Sequence, residues 1–142
     1  VLFFAGGGTN GSVVHYSSYT VAKIGLIKMC ELLTSEIDDT KFSIVGPGWV
    51  KTKIHQPTLN DLGVLTKENH SKTIKMLEGN SCTSMEDVVS SCNWVLETNS
   101  RALSGRNFSS LNDRWGTSEL FNTLVSDPNM YKLRRHGNDW GK

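Results

Sequence analysis

The stretch VLFFAGGGTNGSVVHYSSYTVAKIGLIKMCELLTSEIDDTKFSIVGPG, residues 1–48, decides how the chain is read. It opens on Val1-Leu2-Phe3-Phe4, an apolar run without alternation, the pattern of a parallel strand covered on both faces. Such a strand needs neighbours on both sides, so further chain upstream is expected. Gly6-Gly7-Gly8-Thr9-Asn10-Gly11 forms a loop, and Ser17 or Ser18 offers a cap for a helix running to about Glu36. Its apolar residues, among them Val21, Ile24, Ile27, Met29, Cys30 and Leu32, cover more than one face. That predicts a helix buried inside the fold or at a subunit interface. Asp38-Asp39 turns the chain, Phe42-Ser43-Ile44-Val45 reads as a second strand, and Gly46-Pro47-Gly48 closes it. Strand, helix and strand in that order predict a βαβ crossover in a parallel sheet.

Downstream the pattern loosens from Trp49 to about Asn80, with a short helix between Lys67 and Leu77, and this segment has the character of a lid. Thr83-Ser84-Met85-Glu86 is a capping box, and Val88, Val89, Cys92, Val95 and Leu96 continue at helical spacing. A third strand is expected around Arg106 to Ser110, and a last helix around Trp115 to Leu124. The residues from Leu133-Arg134-Arg135-His136 to Lys142 read as a tail. The expected fold class is α/β: a parallel sheet with flanking helices, divided into residues 1–54, the lid region 55–82 and a C-terminal portion 83–142 of one domain.

The 142 residues are 37% hydrophobic, enough for one domain with a core. Fifteen basic residues stand against fourteen acidic ones without long runs, so neither nucleic acid nor an anionic membrane is an expected partner. No stretch approaches the roughly 20 apolar residues of a membrane span, and the first residues lack a signal-peptide pattern. A cytoplasmic protein acting on a small molecule is the expectation. Cys30, Cys82 and Cys92 form no CxxC pair and read as reduced, core-type residues. The sequons at Asn10, Asn69 and Asn107 read as chance matches. His15, His55, His70 and His136 are scattered, with no metal-ligand spacing, so no metal is expected. His15 reads either as a solvated loop residue or as one lining the mouth of a site, while the tryptophans at 49, 94, 115 and 140 read as packing residues.

Tyr19 and Lys23 are four residues apart at the start of the apolar helix, so their side chains leave the same face one turn apart. A phenol titrates near about 10 and is a poor acid or base at neutral pH unless a nearby cation favours its anion. The pair is a candidate general acid and base, although helix-surface pairs at this spacing are common.

The context adds to the pair. A strand, a Gly/Ser-rich loop, Tyr19-Thr20-Val21-Ala22-Lys23 on an apolar helix, then a strand ending in Pro47-Gly48-Trp49-Val50-Lys51-Thr52, resembles the C-terminal half of the short-chain dehydrogenase/reductase family. Asn112-Asp113 to Trp115 and Leu133-Arg134-Arg135 resemble the closing segment of a subset of it. The resemblance implies a Rossmann-type fold, NAD or NADP as cofactor, and hydride transfer between nicotinamide and a carbonyl or alcohol substrate. It also implies self-association. In it Tyr19 gives or takes the substrate proton, and Lys23 holds the nicotinamide ribose and assists the tyrosine. Pro47, Gly48, Trp49, Val50 and Thr52 border or hold the cofactor.

Two departures stand against this pattern. The family places a serine thirteen or fourteen residues before its tyrosine to bond the substrate carbonyl, whereas Ala5 and Gly6 stand here. Thr9, Ser12 or Ser17 would have to reach in from the loop. The family's pyrophosphate-binding glycine turn lies upstream of the matched region, so these residues alone are expected to bind dinucleotide weakly or not at all. Gly6 to Gly11 formally satisfies GxGxxG, but no acidic residue ends the second strand and Ser12 to Tyr16 open a helix poorly, so that fingerprint is rejected. Two alternatives to an oxidoreductase remain: a catalytically silent scaffold acting in protein association, and a truncated product.

Overall fold

The computed structural model describes residues 1–61, 63 and 66–136. Trp140 and the end of the expected tail lie outside them. Three parallel strands form the sheet: β1 (Leu2–Phe4), β2 (Ser43–Gly46) and β3 (Asn107–Ser109), in spatial order β1-β2-β3. Helix α1 (Ser17–Glu36) joins the first two strands. After β2 come a single 3-10 turn (Lys53–His55), α2 (Gln56–Asn60), α3 (Lys67–Glu78), α4 (Met85–Glu97) and a second 3-10 turn (Arg101–Leu103). Helix α5 (Ser118–Ser126) comes after β3. The chain is thus mixed α/β with a small parallel sheet. Among the described residues no helix is long and apolar enough to cross a membrane.

Side chains alternate across a strand, so neighbouring β2 residues serve different cores. Ile44 packs with Ala5, Ile27, Cys30 and Phe42 on the α1 face, whereas Val45 packs with Val95, Leu103, Phe108, Leu120 and Leu124 on the face of α4 and α5. Phe108 lies opposite Val45 in the register and meets Trp94 and Tyr131 edge-on, at 5.6 and 5.7 Å between ring centres. A helix on one face and two on the other leave the carboxyl ends of β1 and β2 side by side.

The helices end in an unexpected way. None of α1, α4 and α5 carries a basic residue in its last turn. Yet each has its terminal carbonyls, which would otherwise lack partners, collected by a cation from elsewhere. Arg101 donates to the Thr34 carbonyl in the last turn of α1 and to the Asp38 carbonyl just beyond the helix. Lys41 Nζ donates to Val95 and Thr98 carbonyls of α4 at 2.7 Å each. Arg106, only 4% exposed, donates to Leu124, Asp127 and Met130 carbonyls at 2.6, 3.0 and 2.7 Å. Each cation meets the negative end of a helix dipole.

Several expectations need correction. Neither Ser17 nor Ser18 caps α1: Tyr16 is the N-cap residue and no side chain bonds there. The capping box falls one residue later, with Ser84 Oγ accepting from Asp87 N at 3.0 Å and donating to Asp87 Oδ2 at 2.7 Å. Thr83 is diverted because its N–H donates to Trp49 O at 2.7 Å, which turns its side chain under the Pro47–Gly48 turn. Within this chain α1 buries only Ile27 and Cys30 while Val21 and Leu32 are 71% and 51% exposed, so of the two expected settings burial inside the chain's own fold does not hold. One helix face lies on the sheet, and Leu133 and Arg134 from the C-terminal segment cover a further part of it. Strand β1 pairs with β2 on one side and is an edge of this three-stranded sheet, with Phe4 47% exposed; the expectation of a further neighbour concerns chain upstream of these residues.

The C-terminal segment is no free tail up to His136. Tyr131 O accepts from Asn107 N at 2.9 Å beside β3, Leu133 packs against the α1 core, and Arg134 bridges to Glu31. Burial, with Asp113 adding to it, pushes the Tyr131 phenol up to about 12. All three cysteines are free, and of them Cys30 is buried. Burial raises the Cys30 thiol to about 11.

Candidate functional site

The site grows from the end of β1. Ala5 N–H still bonds Val45 O at 2.9 Å, so β1 runs alongside β2 to its last turn. The next residue is Gly6, and the first turn of α1 lies directly on it. A β-carbon built there would overlap the Tyr19 hydroxyl, and would stand 2.8 Å from Tyr19 Cζ and 2.9 Å from Lys23 Cγ. Both candidate catalytic side chains therefore converge on one glycine. Their spacing along the helix puts them on one face, and the parallel pairing puts that face over the strand end.

Lys23 Nζ donates to Phe4 O at 2.9 Å and lies 5.8 Å from the centre of the Tyr19 ring. Tyr19 is 39% exposed, and Tyr16 meets its ring edge-on at 6.2 Å. Among the described residues the Tyr19 hydroxyl makes no hydrogen bond, and none of Thr9, Ser12 or Ser17 reaches it. The phenolic oxygen is thus free to engage a ligand.

Beside this pair, the register sets Phe4 opposite Val45 and Ala5 N–H still bonds Val45 O, so β1 and β2 end side by side, short of Gly6 and Pro47 respectively. Gly46 and Ala5 are close enough that a β-carbon on Gly46 would stand 3.8 Å from Ala5 Cβ. Of the residues expected to border a cofactor, Pro47 and Gly48 lie at this strand end, and Gly48 has φ +74°, a conformation that favours glycine. Trp49 stacks on His55, with ring centres 5.0 Å apart and planes 11° from parallel. His55 Nε2 donates to Val50 O at 2.8 Å. Thr52 is exposed and leads into the first 3-10 turn without a side-chain cap bond. The structure thus brings Tyr19 and Lys23 to the strand end that Pro47 and Gly48 leave, with Trp49, Val50 and Thr52 further along the same segment.

Sequence reasoning missed three contributors. In the sequence Gly6 marks only a place where a serine is lacking, because the meaning of a missing β-carbon depends on what packs against it. Tyr16 bonds Thr58 Oγ1 at 2.6 Å, and Asn69 Nδ2 donates to Val14 O at 3.0 Å, so α2 and α3 are tied to the loop before α1. A cavity of about 210 Å³ opens there, lined by His15, Tyr16, Pro57, Thr58, Asp61 and Asn69. His15 has φ +65°, unusual outside glycine. Thr83 is the third: its hydroxyl is buried without a partner and would lie 2.6 Å from a β-carbon on Gly48.

The GxGxxG reading fails on geometry. In that fingerprint the glycines open the helix, whereas α1 starts at Ser17, beyond Ser12 to Tyr16. Among the described residues no group of three or more His, Cys, Asp or Glu side chains converges as a metal site would. No family model, no curated protein and no solved structure matches the chain.

Proposed function

We propose that the protein is an oxidoreductase of the short-chain dehydrogenase/reductase type, using NAD or NADP with a small carbonyl or alcohol substrate. The observation that carries this reading is the convergence of Tyr19 and Lys23 on Gly6, at the carboxyl end of β1 and beside the Pro47–Gly48 turn that ends β2. Open parallel sheets bind ligands in the crevice at the carboxyl ends of their strands. The residues fit the nicotinamide half of the cofactor: Lys23 offers an ammonium to ribose hydroxyls, and Gly48 lets the chain turn without a side chain over the crevice. Pro47, Trp49, Val50 and Thr52 would form its border.

When bound, NAD or NADP supplies the acceptor or donor of hydride. Tyr19 gives a proton to the substrate oxygen in reduction and takes it in oxidation, at the phenolic oxygen. Lys23 orients the ribose and steadies negative charge on that oxygen. The cavity beside Tyr16 receives the part of the substrate distal to the reacting carbon, with α2 and α3 as its outer wall. Self-association and a cytoplasmic setting accompany this reading.

Titration of NADH and NADPH into the longest natural form of the protein, monitored by nicotinamide fluorescence, tests it. Saturable binding, with turnover of a carbonyl or alcohol that Tyr19→Phe abolishes, is the expected result. Failure to bind either dinucleotide would end the proposal.

A second reading is a silent scaffold that keeps the fold for association. Ala5 and Gly6 in place of the serine, together with the exposed apolar Val21, Met29 and Leu32 along α1, favour it. Full activity of Tyr19→Phe in association assays, without dinucleotide binding, is what it predicts.

A further inference from the structure

Two consecutive residues of α1 pin the loop that leaves β1. Tyr19 packs on Gly6; Thr20 packs on Gly8, where a β-carbon would fall 2.5 Å from Thr20 Cγ2 and 3.0 Å from Thr20 Oγ1. Gly8 also has φ +97°. Any larger residue at either position would lift the loop from the helix. Gly7, held between them, differs: it is exposed, and nothing lies within 4 Å of where its β-carbon would be. Among the described residues its main-chain N–H makes no hydrogen bond, in contrast to the Ala5 N–H on Val45 O.

Resting on the oxidoreductase reading above, we infer that the Gly7 N–H is the second donor to the substrate oxygen, opposite the Tyr19 hydroxyl. Among the described residues the hydroxyls of Thr9, Ser12 and Ser17 make no bond to Tyr19, and that of Thr20 is buried against Gly8, whereas a main-chain donor in a pinned loop needs no reorganisation when charge develops. In reduction the carbonyl carbon accepts hydride from the reduced nicotinamide, which is thereby oxidised, and the carbonyl oxygen takes the Tyr19 proton. The resulting phenolate is reprotonated from solvent. Gly7 keeps its own proton throughout and only donates a hydrogen bond. Removing one preorganised donor of this kind lowers kcat by roughly a hundredfold or more.

The test uses the longest natural form of the protein, ¹⁵N-labelled, with the dinucleotide it binds and cyclohexanone as the carbonyl probe. The Gly7 amide resonance is expected to move downfield and saturate with the ketone. Gly7→Pro, which removes the N–H, should lose roughly a hundredfold in kcat with dinucleotide affinity unchanged. A Gly7 amide that stays still while ketone is turned over overturns the inference and leaves the oxidoreductase reading intact, as does a folded Gly7→Pro as active as the wild type. Should Gly7→Pro not fold, the wild-type resonance decides alone. A wild-type protein that neither binds dinucleotide nor shifts the amide overturns both.

Discussion

Lys23 Nζ stands 5.8 Å from the centre of the Tyr19 ring while its hydrogen bond goes to Phe4 O at 2.9 Å. The ammonium is therefore fixed to the strand as well as to the helix, and it sits over the phenol without occupying the phenolic oxygen. A cation held in this way stabilises a developing anion without having to be ordered first. Both proposed roles of the pair then depend on one packing arrangement at Gly6.

Tyr19→Phe keeps the ring on Gly6 and removes only the hydroxyl. Under the proposed chemistry kcat should fall by roughly 10²–10⁴-fold with dinucleotide affinity nearly unchanged. Steady-state kinetics and fluorescence titration of the same variant check the two halves of this statement. Equal losses in affinity and rate would mean that Tyr19 binds cofactor instead of moving a proton.

Gly48 and Thr83 make a test of the turn beside the pair. Gly48→Ala must hold φ +74° with a β-carbon and also displace the Thr83 hydroxyl, 2.6 Å from that carbon. The left-handed conformation alone costs about 1–2 kcal/mol, and the contact adds to it. Thr83→Val replaces a buried hydroxyl that has no partner with a methyl of the same shape, which should be neutral or slightly stabilising. In a Thr83→Ala background the Gly48→Ala penalty should shrink toward the conformational part. Urea unfolding midpoints of these variants and the wild type decide it, and additive penalties would mean that the contact does not bear on the turn.

The elements that read correctly from sequence are those whose pattern is local. The apolar run before Ala5, the helix from Ser17 to Glu36, the Met85–Glu97 helix and the short strand at Asn107–Ser109 arise from periodicity and from Gly and Pro punctuation. The Tyr19–Lys23 pair was legible for the same reason, since four residues on a helix fix a common face. What escaped is set by partners far along the chain. The cations that end α1, α4 and α5 are Arg101, Lys41 and Arg106, none of them in the helix it serves. Thr83 has the chemistry of a cap, but the Trp49 carbonyl takes its N–H, and α2 is too short to leave a period.

Arg106 shows how much such a distant partner contributes. Its guanidinium is buried, and its contacts are the carbonyls of Leu124, Asp127 and Met130 and the negative end of α5. Arg106→Met keeps the stem and removes every donor, leaving those carbonyls without it. A loss of roughly 3 kcal/mol is expected, together with faster amide exchange in residues 124–130. Chemical denaturation and hydrogen exchange measure these separately. A loss of stability without local exchange would place the cost in core packing, not in the helix end.

Glu31 is one source of pH dependence in the stability. Arg134 donates to both oxygens of Glu31, at 2.6 and 3.0 Å, and Lys28 Nζ adds a contact at 2.6 Å. The Arg134 hydrogen bonds, with Lys28 assisting, hold the Glu31 carboxyl down at about 2 from its usual 4.5. The folded protein thus binds this proton less readily than the unfolded chain, so the pair's stabilisation is complete above about pH 4.5 and drains away as pH falls toward about 2. Glu31 is only 17% exposed but Arg134 is 38% exposed, so solvent screening limits the contribution to about 1 kcal/mol. Arg134→Ala should lose that amount near neutrality, and its stability should fall less steeply than that of the wild type across the same window. The two unfolding curves should converge below about pH 2, once Glu31 is protonated in both. Parallel curves through that window would show that the acid sensitivity arises from another carboxylate and that Arg134 holds the C-terminal segment by packing alone.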